Sequence, residues 1–243
     1  MSADGDITEY HARLAECLGP NGWAEAMDSI RASPKFLEGV ATRYPGVTMM
    51  TPAGPADPWA VEVYALLQEL QESLVGSMAN SVIPVNPDSF HVTVGDLVAG
   101  EAYSSGCDKA ISRAVKRILA SLGDDDVEPD WRVAGVALFE HAVVGLLEPV
   151  SESDYLPIVE LRDRLYCDLP LRALGVRRPR PLMLHVTLAY FDSGPTEADR
   201  ARWNDVLEAS LEACRRRSAT MLVRDVGIHR FNDMSAFTPL KFG

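Results

Sequence analysis

A repeat does most to restrict how this chain folds. HVTV at 91–94 and HVTL at 185–188 fall at matching places in two successive runs of the same elements. The first run opens with the β-rich segment VTMMT from Val47, followed by the turn-forming PAGPADP. Asp57 and Pro58 suit the start of a helix whose apolar positions Val63, Leu66, Leu67, Leu70 and Leu74 keep a 3.6-residue period, with an end near Gly76. Next come the strand SFHVTVGDL, a helix marked by Ile111, Val115, Ile118 and Leu122 that closes at Gly123 and the acidic turn 124–126, and the strand WRVAGVALF. Glu140 and His141 turn that strand into AVVGLLEPV as a hairpin, and the order begins again. A helix carries Ile158, Leu161, Leu165 and Leu169, followed by the strand LMLHVTLAYF, a helix with Trp203, Val206, Leu207 and Leu211, and the strand ATMLVRDV. Thr196 with Asp199 forms a capping box at the last helix.

His91 lies 44 residues after Val47, and His185 lies 43 after Ala142. Such a register predicts two similar lobes, about 46–139 and 142–228, related by an approximate two-fold axis with their histidine strands facing each other. Residues 1–45 read as a helical extension, with Tyr10, Leu14, Cys17 and Leu18 on one face and Trp23, Met27 and Ile30 on another, packing on the main body formed by 46–243.

Within each motif the two-residue period of a strand puts His and Thr on one face and the aliphatics on the other. Val92, Val94, Val186 and Leu188 then anchor under helices, while His91, Thr93, His185 and Thr187 point into a shared cleft. With five histidines in the chain, about 0.04 copies of His-apolar-Thr-apolar arise by chance, so two copies at matched positions demand an explanation.

In these motifs the sequence resembles the 2H phosphoesterase superfamily, named for paired H-x-T/S-x motifs, which includes 2′,3′-cyclic phosphodiesterases of RNA ends and 2′-5′ RNA ligase-like proteins. The resemblance covers about residues 46–228. It implies a bilobal α+β fold with antiparallel sheets lining a central cleft and helices outside, acting without metal or cofactor. Breaking a phosphodiester at neutral pH requires deprotonating the attacking oxygen and protonating the leaving one. Two imidazoles with ordinary values near ~6.5 divide that task. Each threonine hydroxyl donates to a phosphoryl oxygen where charge accumulates. His91 and His185 are thus expected as base and acid in either order, with Thr93 and Thr187 beside them. The resemblance implies that water opens a 2′,3′-cyclic phosphate to a monoester.

Four further residues are candidates for holding the substrate. Arg178 and Arg180, with Arg177 nearby in VRRPRPLMLHVT, offer guanidinium groups suited to phosphate. Phe191 shares strand parity with His185 and Thr187 and either offers a face for base stacking or belongs to the core, whereas Tyr190 is expected to point the other way. Tyr103 is a loop aromatic just beyond the first motif. His11, His141 and His229 lack matching partners, and His229 is expected to be solvent-exposed.

Charge narrows the partners. The 35 acidic against 23 basic residues, net −12, repel duplex nucleic acid, while a small nucleotide or RNA-end phosphodiester needs only a local basic pocket. Cys17, Cys107, Cys167 and Cys214 stand far apart without a C-x-x-C pair and read as free thiols. The acidic N-terminus lacks a secretory pattern and no run reaches ~18 apolar residues, so the expectation is a cytoplasmic protein with no membrane partner. The competing reading is a non-catalytic nucleotide-binding or scaffold protein that keeps the same cleft.

Overall fold

A computed structural model describes residues 2–78, 80–122 and 128–240. Gly123 and the acidic turn at 124–126 lie outside the described residues.

The chain begins with two short helices. In α1 (Ile7–Cys17), the Asp6 side chain accepts from the Glu9 backbone N–H, and α2 (Pro20–Ser29) has proline in its first turn. Tyr10 and Leu14 of the first and Trp23 and Met27 of the second are buried against the body of the protein. A tight hairpin follows, β1 (Phe36–Leu37) with β2 (Val40–Ala41), turned by Glu38 and Gly39, both at positive φ.

The two runs are then laid out in order. The first comprises β3 (Gly46–Met50), α3 (Val61–Ser77), the short β4 (Val82–Pro84), β5 (Thr93–Ala99), α4 (Asp108–Ser121) and β6 (Asp130–Phe139). The second comprises β7 (Ala142–Pro149), α5 (Glu152–Cys167), α6 (Leu169–Ala173), β8 (His185–Phe191), α7 (Glu197–Arg217), β9 (Thr220–Leu222) and β10 (Gly227–Phe231), followed by β11 (Phe237–Pro239). Leu169 does not extend α5, because the Asp168 carboxylate accepts from Leu171 N–H and starts α6, leaving Leu169 exposed. The Thr196–Asp199 capping box is present at α7.

All pairing is antiparallel, in a four-stranded sheet β11-β10-β3-β5 and a five-stranded sheet β4-β8-β7-β6-β9. The lobes expected at 46–139 and 142–228 are therefore not contiguous, since each sheet draws strands from both runs. Glu140 and His141 form a two-residue connection with Phe139 paired to Ala142. So short a hairpin costs little chain entropy, and it carries β6 out of the first run to lie beside β7. In exchange, β10 from the second run pairs with β3.

The first helix of each run crosses over in the same way. α3 packs on β8 and β4 of the five-stranded sheet beside α7, and α5 packs on β5 of the four-stranded sheet beside α4. Glycine at Gly95 and Gly145 allows the close approach, because a Cβ there would lie 3.1 Å from Leu165 Cδ1 and 2.5 Å from Leu67 Cδ2. α1 packs on β6 and β7, and α2 on β6 and α7. No described helix is long and apolar enough to cross a membrane.

Candidate active site

The first motif leads into β5, with His91 and Val92 just before the strand, and the second opens β8; from opposite sheets they bring His91, Thr93, His185 and Thr187 together to line one cleft. The alternation that aims them is fixed by burial: Val92, Val94, Val186 and Leu188 have no exposed surface, so their neighbours are forced to the other face. Each strand is pinned at the motif by a hydroxyl. Thr51 Oγ1 accepts from Val92 N–H at 3.0 Å, and Tyr10 Oη accepts from Leu184 N–H at 3.2 Å while donating to the Leu147 carbonyl at 2.6 Å.

Directly after the motif each strand bulges. Thr93 and Gly95 oppose the consecutive residues Met50 and Met49, leaving Val94 extra, and Thr187 and Ala189 oppose Val144 and Val143, leaving Leu188 extra. One extra residue resets which face every later side chain occupies. Asp96 and Tyr190 therefore line the cleft. Phe191, expected there by simple parity, is fully buried on the far side and stacks on Trp203 at 5.9 Å. The small residues Gly95 and Ala189 after each HVT-aliphatic run were the local signal for the bulges.

Both imidazoles are oriented alike. Nδ1 of His91 lies 2.7 Å from the Ser89 carbonyl oxygen, and Nδ1 of His185 lies 2.8 Å from that of Met183. A carbonyl only accepts, so Nδ1 carries the proton in each ring and Nε2 of the neutral imidazole is left with a lone pair. Phe237 packs on His91 at 4.4 Å, and Phe139 meets His185 edge-on at 5.2 Å. Burial in this pocket pushes both histidines down to about 4. The Ser89 carbonyl and, more weakly, Asp96 oppose the shift at His91, where His229 and Lys35 reinforce it. Arg180 reinforces it at His185, against the Met183 carbonyl and Asp96.

The cationic groups divide sharply. Arg180 lines the cleft with its guanidinium 5.2 Å above the Phe139 ring. Arg178 does not: it is ion-paired to Asp4 and Asp163 and stacked 5.0 Å over Tyr166. Arg177 donates to the Arg172 and Val176 carbonyls. Tyr103 is also absent from the lining, its hydroxyl donating to the Asp108 carboxylate at 3.0 Å, and burial with that carboxylate raises it to about 12. His229 is buried rather than exposed, on β10 opposite Thr48. Sequence reasoning missed Lys35, Asp96, Tyr190 and Phe237, all of which line the cleft.

Beneath the second motif lies a buried ionic cluster. Asp4 has no exposed surface, and its carboxylate accepts from Arg162 Nε at 2.9 Å, from Leu182 N–H at 2.8 Å and from Arg178. Burial alone would raise its pKa, but Arg162 and Arg178 hold it below the ordinary carboxylate range. Arg162 also donates to the carbonyl of Val94, the bulged residue of β5, at 2.7 Å and to that of Arg180 at 3.1 Å. The N-terminal segment thus ties together the two approaches to the cleft. Among the described residues no group of three or more His, Cys, Asp or Glu is placed to hold a metal ion.

The sequence matches no protein-family profile and no curated protein. Among solved structures it is similar to the conserved protein of unknown function ATU0111 from Agrobacterium tumefaciens, with 19% identity over 86% of this chain and 90% of that one and a TM-score of 0.65. It is also similar to TT0787 of Thermus thermophilus, with 17% identity over 80% and 94% of the two chains and a TM-score of 0.52. For E. coli LigT in apo form the figures are 16% identity, 82% and 96%, and a TM-score of 0.42. With its antiparallel sheets facing one another across a cleft and its helices outside, the chain has a bilobal α+β fold that it shares with ATU0111 and TT0787.

Proposed function

We propose that the protein is a metal-independent phosphodiesterase acting on a small nucleotide or RNA-terminal phosphodiester of the 2′,3′-cyclic type, by two-histidine general acid/base catalysis. The observation that carries this reading is the matched pair of imidazoles, both with Nδ1 committed to a backbone carbonyl, lining the same cleft beside Thr93 and Thr187.

In the proposed step a water oxygen attacks phosphorus and gives its proton to Nε2 of one histidine. The bond from phosphorus to the ring-closing ester oxygen breaks, and that oxygen takes the proton held on Nε2 of the other. Thr93, Thr187 and Arg180 donate to the non-bridging oxygens as charge builds there. The near symmetry of the two motifs assigns neither imidazole to one role. Asp96, exposed in the cleft, favours the charged form of both rings and so favours whichever serves as acid.

The test is a panel of 2′,3′-cyclic mononucleotides, 3′,5′-cyclic mononucleotides and cyclic dinucleotides, incubated with the purified protein in the absence and presence of a chelator. The expected result is metal-independent opening of a 2′,3′-cyclic phosphate, falling about 10²- to 10⁴-fold in His91→Ala and in His185→Ala. Undiminished turnover by either variant refutes the assignment, and binding without product assigns the cleft to nucleotide recognition instead.

A further inference from the structure

We propose that Lys35, supplied by a segment outside the duplicated body of the protein, is a phosphate-binding cation of the cleft. The proposal rests on the reading of the cleft as a phosphodiester site and deepens it.

Lys35 lines the same cleft as the four motif residues. Its ammonium sits between two aromatic faces, 5.3 Å from the ring centre of Tyr44 and 5.2 Å from that of Tyr190. Those faces stabilise the charge and fix where it stands, and among the described residues its N–H groups have no hydrogen-bond acceptor. Among the described residues Lys35 makes no ion pair. Asp96 acts on it only at longer range, while burial and Arg180 both disfavour its charge. A half-buried ammonium without a counter-ion is costly, and an anionic ligand relieves that cost.

The backbone around it is built to hold this position. Ser33 N–H donates to the Phe191 carbonyl at 2.7 Å, fastening the segment to the five-stranded sheet at the end of β8. Tyr44 N–H donates to the Asn232 carbonyl at 2.8 Å, fastening it just past β10 of the four-stranded sheet. Between these anchors Thr42 N–H donates to the Lys35 carbonyl at 2.8 Å, closing the loop around the β1–β2 hairpin. The strap reaches from one sheet to the other and delivers a cation to the cleft they share.

The charges of the cleft agree. In a chain of net charge −12, the described lining residues include Lys35 and Arg180, cations with no carboxylate ion-pair partner among the described residues, and one carboxylate, Asp96. Arg162 also lines it but is already paired with Asp4. This local reversal of sign suits an anion with more than one oxygen to share, and a phosphoryl group has that chemistry.

The experiment is a calorimetric titration with inorganic phosphate at low salt, comparing wild type with Lys35→Met, which keeps an unbranched apolar stem between the two tyrosines. The expected result is a loss of affinity of about tenfold, equivalent to about 1.4 kcal/mol. A loss of fivefold or more, with thermal unfolding showing the variant folded, supports the proposal. A smaller loss, or a wild type that binds no phosphate, overturns it. Should the variant not fold, the Lys35 Nζ resonance of the wild-type protein is followed instead during phosphate addition: movement supports the proposal, and constancy at saturation overturns it. Hydrolysis of a 2′,3′-cyclic mononucleotide, run in parallel on both proteins, keeps the two readings apart. Phosphate binding that depends on Lys35 without turnover by wild type refutes the phosphodiesterase alone, whereas turnover with Lys35-independent binding refutes only the role of Lys35.

Discussion

Binding a phosphodiester should bring a proton with it. With both histidines pushed down to about 4 by burial, only about one imidazole in a thousand is charged at neutral pH in the free protein. A general acid must be charged before it can act. A diester anion seated about 4 Å from an imidazolium contributes about 4 kcal/mol at the effective dielectric of a protein surface site, which is about three pKa units. The same histidine then titrates near ~7 in the complex, so at about pH 6 nearly one proton is taken up for each diester bound. The sign follows: affinity should rise as pH falls from ~7 toward ~4 and level off below, because the complex holds a proton that the free protein lacks. Dimethyl phosphate is a suitable probe, since its own charge is constant over this range. The assay is the Hε1 and Cε1 shifts of His91 and His185 followed against pH, with and without the saturating diester. If neither imidazole titrates above about pH 5 in the complex, burial rather than ligand charge sets their state, and the proposed acid step lacks its proton.

Two other perturbations separate support from contact. Asp4→Ala leaves Arg162 and Arg178 without their buried carboxylate and should cost about 3–5 kcal/mol in chemical denaturation. In the wild-type protein, the contribution of Asp4 to stability should be complete above its ordinary titration range and lost as pH falls through its lowered folded value. A change below about 1 kcal/mol would mean that the cluster is not what holds the approach to His185. Phe191→Ala should cost about 3–5 kcal/mol by emptying its place against Trp203, while leaving KM for a cyclic nucleotide unchanged.

How much of this was readable beforehand depends on how local each cause is. The aim of His91, Thr93, His185 and Thr187 follows from alternation with Val92, Val94, Val186 and Leu188, a pattern complete within four residues. Tyr190 and Phe191 lie on the faces opposite to those that simple parity gives because a bulge is a pairing event: Leu188 becomes the extra residue only in relation to Val143 and Val144. The Glu140–His141 hairpin was legible, yet its consequence, that β6 leaves its own run, depends on which edge β7 offers. Arg178 and Arg180 are two residues apart in a basic stretch and indistinguishable by composition. Asp4, far away in sequence, claims one and leaves the other to the cleft. Lys35 lay in a segment without a motif, and its placement is set by hydrogen bonds to Phe191 and Asn232 through intermediaries no local pattern reveals.

The trading of β6 for β10 has a consequence for how such a molecule can be divided. A cut between residues 140 and 141 would not release two self-sufficient halves. The first fragment would carry β4, β6 and α3 without the strands they pack on, and the second β10, β11 and α5 without theirs, so neither has a complete core by itself. The repeat is an interlock: its unit is visible in the order of elements but is not a unit of folding, and the two walls of the cleft stand or fall together.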